Sequence, residues 1–216
     1  MKSKVYIISG LGADYRVFNN LQLDFEHEFI HWIKPLKNET IECYATRLLP
    51  QITTQNPILI GLSFGGIIAA EIAKQIKVQK VVLISSVKTK YELPFYFKIL
   101  GFLNLHKAVP VKWLRGVTIL NNWFFGAKNK ETKALLKLII NDMDLVFLKW
   151  AIHNILKWKN TFVHPNTIHI HGVSDKILPY VFIKSATPIK NGGHLMLLEK
   201  STQLSYHLNI IVVDTN

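Results

Sequence analysis

Short β-branched apolar runs alternate along this chain with segments of helical periodicity, and that alternation restricts the fold more than any other feature. Lys4 to Ser9 is one such run, ending in Gly10, Leu11 and Gly12, a tight turn ahead of Asp14, which is placed to cap a helix. Phe29 to Ile33, ended by Pro35, is a second, and Pro57 to Leu62 and Lys80 to Ile84 follow. Between them, Glu39 to Ile52 carries Ile41, Tyr44, Ala45, Leu48, Leu49 and Ile52 at helical spacing with Thr40 as candidate cap, and Ile67 to Ile76 is also in helical register. Strands that are apolar throughout are those covered on both faces. The pattern therefore predicts an α/β fold, a mostly parallel sheet flanked by helices.

The alternation lapses from Lys88 to about His164. Lys130 to Asn141 and Leu145 to Trp158 are Lys-rich and amphipathic, so residues 88–164 are expected to form a helical lid inserted into a single domain spanning residues 1–216. Strand character returns at Asn166 to His171 and more weakly at Lys184 to Ile189, and a closing helix is expected from Glu199 to about Asn209. No apolar stretch reaches the roughly 18–20 uncharged residues of a membrane span, because Lys98 and Gly101 break the run from Leu93 to Leu105. The basic, apolar start is interrupted by Gly10 and Gly12 and suits a first strand better than a secretory leader. The single cysteine, Cys43, precludes an internal disulfide and a thiolate metal site; it is expected to pack as a buried thiol, and a reducing, cytoplasmic setting is expected.

Residues 61–65, Gly-Leu-Ser-Phe-Gly, fall between an apolar run and a helical segment, and GxSxG in that context is the turn that lifts a serine hydroxyl above a sheet. Gly61 and Gly65 leave room for neighbouring backbone beside Ser63. A serine hydroxyl becomes a useful nucleophile only when a histidine takes its proton, and that imidazole needs an acid to fix its tautomer. Asp175 follows one late strand in His171-Gly-Val-Ser-Asp175, and His194 follows the next in Asn191-Gly-Gly-His194, which gives the order Ser, Asp, His. Asp214 lies beyond His194 and Glu199 in the last helix, so Asp175 is the expected acid; His171 is expected to support its loop. An oxyanion formed at Ser63 would be met by the backbone N–H of Phe64 and, from the first turn, of Leu11.

Gly10-Leu-Gly12, Gly61-Leu-Ser63-Phe-Gly65-Gly66, His171-Gly172 with Asp175, and Gly193-His194 together resemble the α/β-hydrolase superfamily over roughly two thirds of the chain. Three features depart from its usual pattern: Ser9-Gly10 where many members have His-Gly, no leading antiparallel strands, and only 19 positions between Asp175 and His194. The resemblance implies a lid over the serine. It also implies hydrolysis of an ester, thioester, amide or C–C bond, since members with dehalogenase or epoxide hydrolase chemistry carry an aspartate where Ser63 stands.

The insertion is rich in Phe, Tyr and Trp, and Trp123, Phe124 and Trp150 are candidate walls of an apolar substrate pocket, although such rings also serve simply to pack a lid on a sheet. The formal charge is +12, and between Lys88 and Asn160 there are 13 Lys or Arg against four acids. Basic segments with Trp and Phe suit an anionic membrane surface, but a solvated helix face accounts for them more readily, so peripheral membrane contact is the minority expectation. Nucleic acid has only the charge in its favour, without a recognition motif. No phosphate loop, dinucleotide fingerprint or paired-histidine metal motif occurs, so no cofactor and no metal are expected. The sequence thus leads to a serine hydrolase acting on a small or medium, largely apolar ester or thioester. A C–C hydrolase or lyase with the same residues, and a non-catalytic binding protein on this scaffold, are the alternatives.

Overall fold

The structure, a computed structural model, describes residues 4–104 and 118–213. Six strands form one parallel sheet: β1 (Val5–Ile8), β2 (His27–Ile30), β3 (Ile58–Leu62), β4 (Lys80–Ile84), β5 (Thr167–Gly172) and β6 (Thr187–Ile189), in the spatial order β2-β1-β3-β4-β5-β6. Alternate residues of each strand enter different cores. Tyr6, Ile8, Leu59, Val81 and Leu83 meet helices α1 (Ile41–Leu48) and α2 (Phe64–Ile72) on one face. Val5, Ile7, Ile58, Ile60, Val82 and Ile84 meet the C-terminal helix on the other. Each fully buried Ile or Leu contributes about 1.5–3 kcal/mol of transfer free energy, which only a sheet covered on both sides can collect.

Thr40 caps α1, its hydroxyl oxygen accepting from the amide of Cys43, as its position suggested. Cys43 itself is exposed, because its position on α1 faces away from the stripe formed by Ile41, Tyr44, Ala45 and Leu48. Asp14 does act as a cap, accepting from Arg16, but the segment it opens is a single tight turn, Tyr15–Phe18, and not a full helix. The edge strand β2 ends at Ile30, short of the expected Ile33, because side chains take the backbone beyond it: Gln51 accepts the His31 N–H at 2.8 Å and donates to the His31 carbonyl at 3.0 Å, and the Tyr44 hydroxyl accepts the Ile33 N–H at 3.1 Å and donates to the Ile33 carbonyl at 2.8 Å.

Between β4 and β5 lie α3 (Phe95–Phe102), α4 (Thr118–Phe125), α5 (Lys130–Asp142) and α6 (Leu145–Lys157). Residues 105–117 of the expected lid, Trp113 among them, lie outside the described residues. After β6 come α7 (Met196–Glu199) and α8 (Ser201–Val213). Among the described residues no helix is long and apolar enough to cross a membrane.

Candidate active site

Ser63 sits between the last residue of β3 and the first of α2, at φ 51° and ψ −117°. A β-substituted residue at positive φ is strained by about 1–3 kcal/mol and persists only where its surroundings enforce it. Here the enforcement is backbone crowding. A Cβ at Gly65 would lie 2.2 Å from the Ile8 carbonyl oxygen, and one at Gly61 would lie 2.4 Å from the Gly66 Cα, so the turn can close only with glycine at both places. The Ser63 amide donates to the Ile84 carbonyl at 2.8 Å, and the Ser63 carbonyl accepts the Ser86 hydroxyl at 2.6 Å. Ser86 was not singled out from the sequence; it follows β4, and only strand pairing brings it under the turn.

The three residues of the predicted relay are brought together. His194 Nε2 lies 2.8 Å from Ser63 Oγ, and His194 Nδ1 lies 2.7 Å from Asp175 Oδ2. The second carboxylate oxygen of Asp175 accepts the backbone amides of Ile177 and Leu178, both at 2.9 Å. Burial opposes ionisation of Asp175, but its neighbours His194 and His171 outweigh it and hold the carboxyl well below the usual carboxylate range. An ionised carboxylate only accepts, so His194 must present Nδ1–H to Asp175, leaving Nε2 free to accept the Ser63 proton.

His171, expected to support the Asp175 loop, does so from β5. Its Nε2 donates to the Leu178 carbonyl at 2.8 Å and lies 3.4 Å from Asp175 Oδ2, while its Nδ1 accepts from His169 Nε2 at 3.1 Å. Burial, reinforced by nearby His171 and Lys88, drives the pKa of His169 well down, so it stays neutral.

Leu11 lies beside Ser63 on the loop after β1, which Ser9 ties closed by donating to the Ala13 carbonyl at 2.7 Å. Phe64 opens α2, so its amide has no acceptor within the helix. Its ring is buried among Trp32, Phe147 and Trp150.

A recess of about 390 Å³, counting its solvent-open mouth, adjoins Ser63 and His194. Its walls are apolar: Leu11, Ala13, Val17 and Leu62 from the sheet side, Phe125, Leu136, Ile139, Ile140 and Met143 from the insertion, and Leu195 beside His194. The expected wall residues Trp123, Phe124 and Trp150 do not line it. Successive helical positions are turned by about 100°, so at the end of α4 Phe125 reaches the edge of the His194 ring at 5.8 Å while Trp123 and Phe124 are exposed. Trp123 instead lies under Lys176 Nζ, 3.8 Å from its ring centre. Trp150 is held on the α1 side, its ring tilted against that of Tyr44 with centres 4.3 Å apart and its indole N–H donating to the Glu39 carbonyl at 2.8 Å. The spacing of Leu136, Ile139, Ile140 and Met143 was the available signal for the residues that line this recess, but it does not say which surface the stripe meets. Among the described residues no cluster of His, Cys, Asp or Glu could hold a metal ion.

The parallel sheet, the strained serine turn at the end of β3 and the loops after β5 and β6 define an α/β-hydrolase fold, and solved structures bear this out. The chain is similar to a bromoperoxidase from Bacillus anthracis, with 17% identity, 99% of this chain and 93% of that one covered, and a TM-score of 0.71. It is also similar to a thermophilic esterase from Thermogutta terrifontis (14% identity, 100% and 91% covered, TM-score 0.71) and to a hydrolase from Oleispira antarctica (13% identity, 99% and 92% covered, TM-score 0.70). No protein-family profile matches the sequence, and no curated protein matches it.

Proposed function

We propose that this protein is a cofactor-independent serine hydrolase that cleaves a carboxylic ester or thioester with a small or medium, uncharged acyl group. The observation that carries this reading is the hydrogen-bonded series Ser63, His194, Asp175, at 2.8 and 2.7 Å, opening into an apolar recess. His194 Nε2 takes the Ser63 proton as Oγ attacks the acyl carbon, and Asp175 stabilises the imidazolium that forms. The oxyanion of the tetrahedral intermediate is met by the amides of Leu11 and Phe64, and His194 returns its proton to the leaving alkoxide or thiolate. The acyl-enzyme on Ser63 is then hydrolysed by a water that His194 deprotonates in turn.

The apolar walls favour acyl groups without charge, because a carboxylate or ammonium placed there would be desolvated without a partner. Intact-mass labelling with a fluorophosphonate tests the reading. One adduct on the wild type is expected, absent in Ser63→Ala and slowed on the order of 10³-fold or more in His194→Ala. A folded wild type that forms no adduct overturns it in favour of a binding protein on this scaffold, and labelling without turnover of any ester or thioester moves the same residues to C–C bond chemistry.

A further inference from the structure

Helix α3 has two unlike sides. On one, Gly101 is buried against α6, so close that a Cβ there would lie 2.4 Å from the Leu156 carbonyl oxygen, and Phe97 packs toward the main core. On the other, Phe95, Ile99 and Phe102 stand at i, i+4 and i+7, one stripe of a helix, and are 61%, 50% and 82% exposed. Leu103, just past the helix end, is 54% exposed. The apolar surface continues onto the turn Tyr180–Phe182, a few residues after Asp175: Phe95 meets the Phe182 ring at 6.4 Å, and neighbouring Val181 is 83% exposed. Soluble surfaces scatter single apolar side chains, whereas a contiguous stripe of this kind marks a surface that something covers.

The charge around the stripe selects what covers it. Lys98 lies on α3 beside Ile99, Lys184 follows the Tyr180–Phe182 turn, and both are exposed. The single acid between residues 88 and 104, Glu92, is 2% exposed and already engaged by the amides of Lys88 and Lys184 and by the Lys88 ammonium. The apolar surface therefore carries one exposed lysine on α3 and another just after the adjoining turn, with no exposed acid in residues 88–104 to neutralise them. Aromatic and aliphatic groups projecting between lysines are the pattern of a helix lying in the headgroup region of a bilayer, rings in the acyl boundary and ammonium groups among the phosphates.

We propose that the exposed face of α3, together with Val181, docks on the surface of an anionic lipid bilayer. Docking sets the bilayer beside the Asp175 loop, and it does not depend on any chemistry at Ser63.

Co-sedimentation of the full chain with phosphatidylcholine vesicles, with and without phosphatidylserine, tests this. The Ser63→Ala protein is used, so that binding is read without turnover. Pelleting with the phosphatidylserine vesicles is expected, reduced roughly tenfold without the anionic lipid or in high salt. The double variant Phe95→Ser with Phe102→Ser, whose side chains are exposed and whose melting temperature should match the parent, is expected to lose binding. Tyr206→Ser, which removes an exposed ring from α8, is expected to keep it. Absence of pelleting with anionic vesicles, or equal pelleting of the double variant, overturns the proposal. So does a concentration-dependent dimer that the double variant abolishes, which would make the stripe a contact between copies, or retention on DNA with none on vesicles.

Discussion

At the scale of single residues, the proposed acyl specificity is tested most directly at Met143. Its side chain rests on the loop after β1, where a Cβ at Gly12 would lie 1.9 Å from the Met143 methyl, and it forms part of the recess beside Ser63. An unbranched thioether fills irregular gaps, and if the recess takes the acyl group as proposed, Met143 shortens the space available to it. Met143→Ala should therefore shift the preference toward longer acyl chains by about tenfold in kcat/KM, the scale of discrimination that one or two methylenes provide in an apolar pocket. A chain-length series of p-nitrophenyl esters measures the shift, and an unchanged ratio would mean that the chain runs elsewhere. Ser63, Asp175 and His194 were legible beforehand because each makes a local demand on its own turn; Met143 was not, since nothing local records that residue 143 meets residue 12.

At the scale of elements, α5 forms one wall of the recess, and it is pinned at both ends, to α7 after the His194 loop and to the turn after β1. At its start Asn129 caps the helix by accepting from Thr132, and Glu199, in α7, accepts the amides of Lys128 and Asn129 at 2.9 and 3.4 Å. At its end Asp142 accepts from Arg16 at 2.8 Å, and Arg16 is also paired with Asp14 on the turn after β1. The carbonyl of Phe125 accepts the Leu195 amide at 3.1 Å, joining α4 to the His194 loop. Glu199→Ala removes a carboxylate from the positive end of α5 and leaves two amides without their acceptor. A loss of about 1 kcal/mol is expected, or roughly 2–4 °C in Tm for a chain of this size. Hydrogen exchange in α5 should accelerate, while that of β3 and β4 should not. The helices α5 and α6 were legible to within a residue or two from their apolar spacing, but their partners were not: the same stripe would serve a lid, a bundle or a dimer.

At the scale of the whole molecule, the parallel sheet buries His169 and His171 inside the fold, one strand-step apart on β5. His169 stays neutral when folded because burial depresses its pKa, whereas in the unfolded chain it takes a proton below about pH 6.5. The unfolded state therefore binds more protons as the pH falls through that value, and stability declines on the acid side. The Tm of the wild type should fall between neutral pH and about pH 5, and His169→Gln, which keeps an N–H donor toward His171 but does not titrate, should flatten that fall. Identical slopes in thermal melts of the two proteins would remove His169 from the account. Asp175 contributes in a different window: its depressed pKa gives stability that is present above its ordinary value of 3.8 and is lost as the pH falls below it.

Alternation of apolar strands with helices, and glycines packed around one serine, were enough to specify the α/β class and the three residues that meet at Ser63, because both are consequences of backbone geometry acting over a few positions. Which insertion side chain meets Ser63 was decided by packing between elements far apart in the chain. Trp123, Phe124 and Trp150 are aromatic and lie in the right segment, yet the rotation of α4 turns Phe125 toward His194, and α1 draws Trp150 to the opposite side. The shortening of β2 has the same origin, since Gln51 and Tyr44 sit 20 and 11 residues beyond the backbone they capture. Period and turn chemistry are written locally, whereas the choice of partner for an apolar face is a minimum over all the faces the fold presents, and only the assembled molecule contains them.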